Sequence, residues 1–293
     1  MEVAVAIVRT EVAAVVVVAT SFTSLQATTN GPCHPRADLF VILVLDTRIL
    51  NSVFARSPKG DEAIFFLWGF MYFILCFVPL LFAFWIFTFI FKLKISHQLF
   101  AILLGLAIVF PISVIQYVVP TTNVFQNMPI VGTMLKSLLI YGLIEELFKS
   151  FALIPVLSSK SVKEDYSPLQ MLFLAFLLGL SLGCFESLVY LFDRLQIANN
   201  RGAQVLYHLV FLRIFTTDLI HMACAGLCGL FVISKRYNNQ KLKNSYLFLA
   251  ILLHGIYDFF AGFQNNLKYF SFLVVLLAII ECRVKYTTLT KTE

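Results

Sequence analysis

Seven apolar stretches follow one another from residue 63 to residue 282, and each is long enough, or nearly so, to cross a bilayer. They run 63–91, 98–119, 132–157, 169–192, 205–233, 246–262 and 269–282. At 1.5 Å per residue a helix needs about 20 residues to span a hydrocarbon core of about 30 Å. Charged residues make up only 13% of the 293-residue chain, which holds 31 Phe and has a mean hydropathy of +0.88. No water-soluble fold of this size hides that much apolar surface, because surface grows too fast relative to core volume. The pattern excludes a secreted globular enzyme, a nucleic-acid binder and a disordered chain. It predicts an all-α, polytopic transmembrane bundle of about seven to eight spans, with the lipid bilayer as its solvent.

The connections carry a charge asymmetry. With the loop after the first stretch on the cytoplasmic side, that side collects 11 basic residues: Lys92, Lys94, Lys160, Lys163, Lys235, Arg236, Lys241, Lys243, Arg283, Lys285 and Lys291. From residue 120 onward the opposite side holds 3, namely Arg194, Arg201 and Lys268. The positive-inside rule then places the C-terminus in the cytoplasm, in an integral, multi-pass protein. Residues 1–60 differ in composition and read as an N-terminal extension of separate origin. The Val/Ala-rich run at their start is a candidate extra hydrophobic segment, but it lacks the basic lead of a signal peptide. Residues 61–293 form the membrane domain, and residues 130–262 are its motif-bearing core. The cysteines, five of them within apolar stretches, do not form a disulfide framework.

The informative residues are those that hydrocarbon should reject. Glu145, Glu146 and Lys149 lie in the third stretch and Glu186 in the fourth. Arg213, Asp218 and His221 lie in the fifth, and His254 and Asp258 in the sixth. A charged side chain at mid-span costs about 2.5–3.5 kcal/mol on insertion scales, so four such helices must share one polar interior. The i,i+4 spacing lets Lys149 hold Glu145 and lets Asp258 orient His254, while Glu146 points about 100° away. Arg213 and Asp218 are candidates to pair with each other. Gly179 and Gly183 form a small-residue face that admits a close helix neighbour, and Gly226 and Gly229 are placed to do the same. Cys224 and Cys228, one turn apart, read as packing residues rather than ligands.

Carboxylates with two histidines suit hydrolysis by an activated water, a proton or cation path, or a metal site. Their order is more selective. Glu145-Glu146-x-x-Lys149, then Glu186, then His221 with Arg213 eight residues before it, then His254-x-x-x-Asp258, resembles the PrsW family of intramembrane proteases. That family is related to the CAAX prenyl proteases and the bacteriocin-immunity-type membrane peptidases. Leu182 and Ser187 depart from residues common at those positions, and Glu186 stands where the prenyl-protease branch would favour His.

The resemblance implies an endopeptidase that cleaves membrane-spanning or membrane-anchored protein substrates, anti-sigma-factor-like if the chain is bacterial, where it would reside in the cell membrane. It implies a catalytic set of Glu145, Glu146, Glu186, His221, His254 and Asp258, supported by Lys149 and Arg213. In this reading Glu145 is the base that activates water, with Glu146 as its nearest substitute. Glu186 positions the water, His221 and His254 stabilise the oxyanion, and Asp258 fixes the tautomer of His254. The favoured mechanism is glutamic and uses no metal cofactor. In the metalloprotease alternative zinc (Zn) is bound by Glu145, Glu186, His221 and His254. A catalytically silent scaffold and a small transporter are the competing readings, and segments 63–282 show no internal repeat of the kind many transporters carry.

Overall fold

The computed structural model describes residues 3–10, 13–20, 62–118, 129–201, 204–237, 244–263 and 265–291. The chain divides into two compact units, Met1–Trp68 and Gly69–Glu293. In the first unit, β1 (Val3–Thr10) pairs antiparallel with β2 (Ala13–Thr20), Val3 opposite Thr20 and Thr10 opposite Ala13. Runs of Val and Ala with few long side chains suit a strand pair, since β-branched residues favour the pleated backbone.

The second unit is all-α. Its helices are α1 (Glu62–Phe89, which begins in the first unit), α2 (Ile95–Ala107), α3 (Val109–Val118), α4 (Pro129–Lys136) and α5 (Leu143–Ser158). They continue with α6 (Lys160–Asp165), α7 (Pro168–Arg201), α8 (Gln204–Phe215), α9 (Thr217–Tyr237), α10 (Asn244–Ala261) and α11 (Phe270–Thr290). Among the described residues, five segments are long and apolar enough to cross a membrane: Phe70–Phe89, Ile95–Gln116, Pro168–Leu191, Val210–Ser234 and Asn244–Ala261. The remaining two expected stretches are helical as well. The third carries Lys136, Glu145, Glu146 and Lys149, and the helix of the last carries Glu281 and runs on past the stretch through Arg283 and Lys285.

Three stretches read as single helices are interrupted, the second of the seven only at Ile108, between α2 and α3. Between α4 and α5 the backbone takes a π-helical turn over Ser137–Gly142, directly before Glu145. Such insertions re-aim the side chains that follow and occur often at functional sites. The fifth stretch breaks at Thr216, between α8 and α9. The Thr216 hydroxyl donates to the Leu212 carbonyl at 2.8 Å, and Thr216 and Thr217 also bond the Tyr257 hydroxyl at 3.1 and 2.8 Å. These bonds offer the backbone an alternative to continuing the helix.

Helices α7 and α9 form the centre of the bundle and pack along most of their length. Glycine makes the approach possible: a Cβ on Gly179 would lie 2.3 Å from the His221 carbonyl oxygen, and one on Gly183 would lie 2.9 Å from Asp218 Cα. Gly226 faces Phe176 and Cys282, and Gly229 faces Ala175, so all four small positions serve close helix contacts. A second crossing joins the π turn to α10, where a Cβ on Gly142 would meet the Ile251 oxygen at 2.7 Å and the Gly255 nitrogen at 2.9 Å. At one end of the bundle, Lys94 before α2 pairs with Asp165, the last residue of α6, at 2.6 Å. Donating a hydrogen bond to the Asp165 carboxylate raises the pKa of the exposed Lys94 ammonium.

Candidate active site

Three helices bring Glu145 (α5), His221 (α9) and His254 (α10) to one buried point. Glu145 Oε2 lies 3.7 Å from His221 Nδ1 and 3.5 Å from His254 Nε2. The two imidazole rings stand 4.9 Å apart and nearly perpendicular, at 80°. Glu145 Oε2 and His221 Nδ1 are both buried and make no hydrogen bond. Glu145 Oε1, by contrast, accepts from Gln116 Nε2 of α3 at 2.9 Å.

The outer nitrogen of each imidazole is held by a second carboxylate. His221 Nε2 is 2.6 Å from Glu186 Oε2, and His254 Nδ1 is 2.6 Å from Glu146 Oε1. A carboxylate only accepts, so these contacts put the ring protons on His221 Nε2 and His254 Nδ1. The lone pairs of His221 Nδ1 and His254 Nε2 are then turned toward Glu145.

Each backing carboxylate has its own cation. Lys149 Nζ reaches Glu146 Oε1 at 2.5 Å with both side chains fully buried, and the Cys228 thiol lies 3.3 Å from Glu146 Oε2. Arg213 Nη2 lies 3.2 Å from Glu186 Oε1, and its guanidinium stacks over the Tyr190 ring at 3.9 Å. Glu146 and Lys149 are one turn apart on α5, and the i,i+3 relation closes that pair locally.

The structure brings all nine residues singled out in the sequence into one network, with different partners in four places. Lys149 holds Glu146 rather than Glu145, because Glu145 turns toward the two imidazoles and away from the ammonium. Glu186 stands behind His221 and outside the group formed by Glu145 and the two inner nitrogens. His254 is oriented from Nδ1 by Glu146, while Asp258 Oδ2 lies 3.7 Å from its other nitrogen, Nε2. Arg213 and Asp218 meet only through Ser187, whose Oγ accepts from Arg213 Nε at 3.2 Å and donates to Asp218 Oδ1 at 2.8 Å. Gln116 and Ser187 escaped sequence reasoning as partners of the site, since an uncharged amide or hydroxyl in an apolar helix is no anomaly. Cys224 faces the Ala250 carbonyl oxygen at 3.6 Å and is not part of the ligand group.

The inner atoms have the chemistry of a metal centre. Among the described residues, Glu145, His221 and His254 each offer one ligand atom within 4.8 Å of the others. Two imidazoles and a carboxylate are donors that zinc accepts in sites with an open position. Carboxylates on the outer nitrogens of such histidines fix tautomer and ring orientation and raise ligand basicity. A buried carboxylate oxygen with no hydrogen bond, facing a bare imidazole nitrogen, is what a cation at this point would satisfy. The residues present therefore fit the group.

No curated protein and no solved structure matches this chain. The family model of the PrsW intramembrane metalloproteases matches residues 94–280, a range that takes in every residue of the network from Gln116 to Asp258. With more than half of its length covered by that match, the chain belongs to the PrsW family of intramembrane metalloproteases.

Proposed function

We propose that this chain is a zinc-dependent intramembrane endopeptidase in which Glu145, His221 and His254 hold the metal and Asp258 serves as the proton carrier. The observation that carries the reading is the unsatisfied Glu145 Oε2, buried opposite two inward-turned imidazole nitrogens. A zinc ion held there would polarise the scissile carbonyl and activate the attacking water.

The side chains do the rest. Glu146 and Glu186 hold the outer imidazole nitrogens so that the inner ones face the site, and Lys149 and Arg213 pair with those two carboxylates. Gln116 ties down Glu145 Oε1, so that Oε2 is the oxygen presented inward. Asp258 Oδ2 lies 3.7 Å from His254 Nε2, which supports a role in which Asp258 takes a proton from water as it adds to the carbonyl carbon and passes it to the departing amine. Asp258 is three residues from the end of α10. The basic-residue bias puts that end away from the cytoplasm and the C-terminus within it, so substrate enters from the non-cytoplasmic half. The substrates are membrane-spanning or membrane-anchored proteins, anti-sigma-factor-like if the chain is bacterial.

The test is metal content of the purified chain, measured alongside cleavage of a membrane-anchored peptide with and without chelator. Stoichiometric zinc and chelator-sensitive cleavage are expected, with Asp258→Asn retaining zinc while losing turnover. Full activity after chelation, with no bound metal, would transfer the role of base to Glu145 and make the histidines oxyanion donors. No cleavage by folded, zinc-loaded protein would instead favour a silent scaffold.

A further inference from the structure

Behind Glu186 the polar chain continues and closes on itself. Glu186 Oε2 is taken by His221 and Oε1 by Arg213. The guanidinium uses its side edge, with Nη2 on Glu186 and Nε on Ser187 Oγ, while its face rests on Tyr190. Ser187 has one proton to give, and it goes to Asp218 Oδ1 at 2.8 Å, which leaves a lone pair directed at Arg213. Asp218 is three residues before His221 on α9, so the path returns to the helix from which it set out. Ser187 and Asp218 are both fully buried, and the Cys184 thiol lies 3.8 Å from Asp218 Oδ2. The loop thus runs His221, Glu186, Arg213, Ser187, Asp218 over α7, α8 and α9.

The loop matters because Arg213, paired with Glu186 Oε1 at 3.2 Å, also has the Asp218 carboxylate within its surroundings. A guanidinium between two carboxylates in a medium of low dielectric would collapse onto one of them. The Ser187 hydroxyl prevents this by standing between Arg213 and Asp218 as acceptor to one and donor to the other. Removing the hydroxyl frees Arg213 to swing toward Asp218, and Glu186 then loses the partner that sets its oxygens. His221 would rotate with it, and Nδ1 would no longer face Glu145.

We propose that Ser187 and Asp218 are positioning residues that aim His221 Nδ1 at the cation site through Arg213 and Glu186. The inference rests on the reading of His221 as a ligand, and its test separates the two. The full chain is reconstituted in nanodiscs, and zinc affinity is measured by competition with a chelating dye for the wild type, Ser187→Ala, Ser187→Cys, Ser187→Thr, Asp218→Leu and Asp218→Asn. Cysteine fills nearly the same space as serine but accepts weakly, whereas threonine keeps the hydroxyl and asparagine keeps an acceptor oxygen. Loss of about tenfold in zinc affinity is expected for Ala, Cys and Leu, with Thr and Asn close to wild type, as for residues that orient a metal-bound histidine.

The second readout needs no metal. In metal-free protein labelled with 15N-histidine, the His221 signal, assigned from His221→Gln, is expected to report Nε2–H in the wild type. It should become a tautomer mixture in Ser187→Ala and Ser187→Cys and stay unchanged in Ser187→Thr. An unchanged His221 signal and wild-type zinc affinity in Ser187→Cys would overturn the proposal. A wild type that cleaves but binds no zinc would overturn the metal reading alone, and the loop would then stand or fall on the 15N signal.

Discussion

The Glu146–Lys149 pair is an ion pair buried in the bundle, and its removal makes a quantitative test. Both side chains are fully buried, and Glu146 Oε1 receives Lys149 at 2.5 Å and His254 at 2.6 Å. Glu146→Gln would leave the ammonium buried without its anion, a defect that costs about 3–5 kcal/mol. That is a large share of the roughly 5–15 kcal/mol that stabilises a native fold. Lys149→Met leaves Glu146 with only His254 and Cys228, and should cost about as much. Replacing both partners removes both buried charges, so the double variant should return to within about 1 kcal/mol of the wild type, since such pairs are often neutral against apolar replacements. The assay is reversible unfolding in mixed detergent micelles, run as a double-mutant cycle with an expected coupling of several kcal/mol. The stable double variant should still cleave slowly, because His254 has lost the carboxylate that fixes its tautomer. Single variants that each unfold within about 1 kcal/mol of the wild type would refute the claim that the pair is dry and mutually dependent.

Other outcomes follow from the same geometry. Glu145→Gln and His254→Ala should insert and fold but fail to cleave a membrane-anchored peptide, and full activity of either purified variant would remove that residue from the site. Gln116→Ala should lower turnover by about tenfold without changing thermal stability by more than about 1 kcal/mol, read from initial rates and melting in detergent. Gly255→Ala places a Cβ 2.6 Å from Leu138 Cδ2 and 2.7 Å from Leu138 Cα. It should destabilise the bundle by about 1–3 kcal/mol, as overpacking does, and lower activity through displacement of His254.

Much of this was legible in the residues, for identifiable reasons. Apolar length gave the spans, and the cost of charge in hydrocarbon forced Glu145, Glu186, His221 and His254 to converge before any contact was known. The choice of partners was not legible. Glu145 and Glu146 both lie within reach of Lys149 on a helix surface, and only the neighbouring helices decide that Glu146 takes the ammonium while Glu145 faces the imidazoles. The backing roles of Glu146 and Glu186 were hidden for the same reason, since spacing does not say which ring nitrogen a carboxylate meets. The interruption at Thr216 follows from hydroxyl contacts to Tyr257, some forty residues away, and the π turn follows from a crossing with α10. Neither leaves a mark in local hydrophobic periodicity.

The crossing of Gly142 with Gly255 is a contact of main chain on main chain, with no side-chain layer between. Glu145 is three residues from one side of it and His254 is adjacent to the other. A fulcrum set so close to the reactive groups has a short lever arm to them and a long one to the helix ends. A change of angle about this contact would therefore move Glu145 and His254 less than the far ends of α5 and α10.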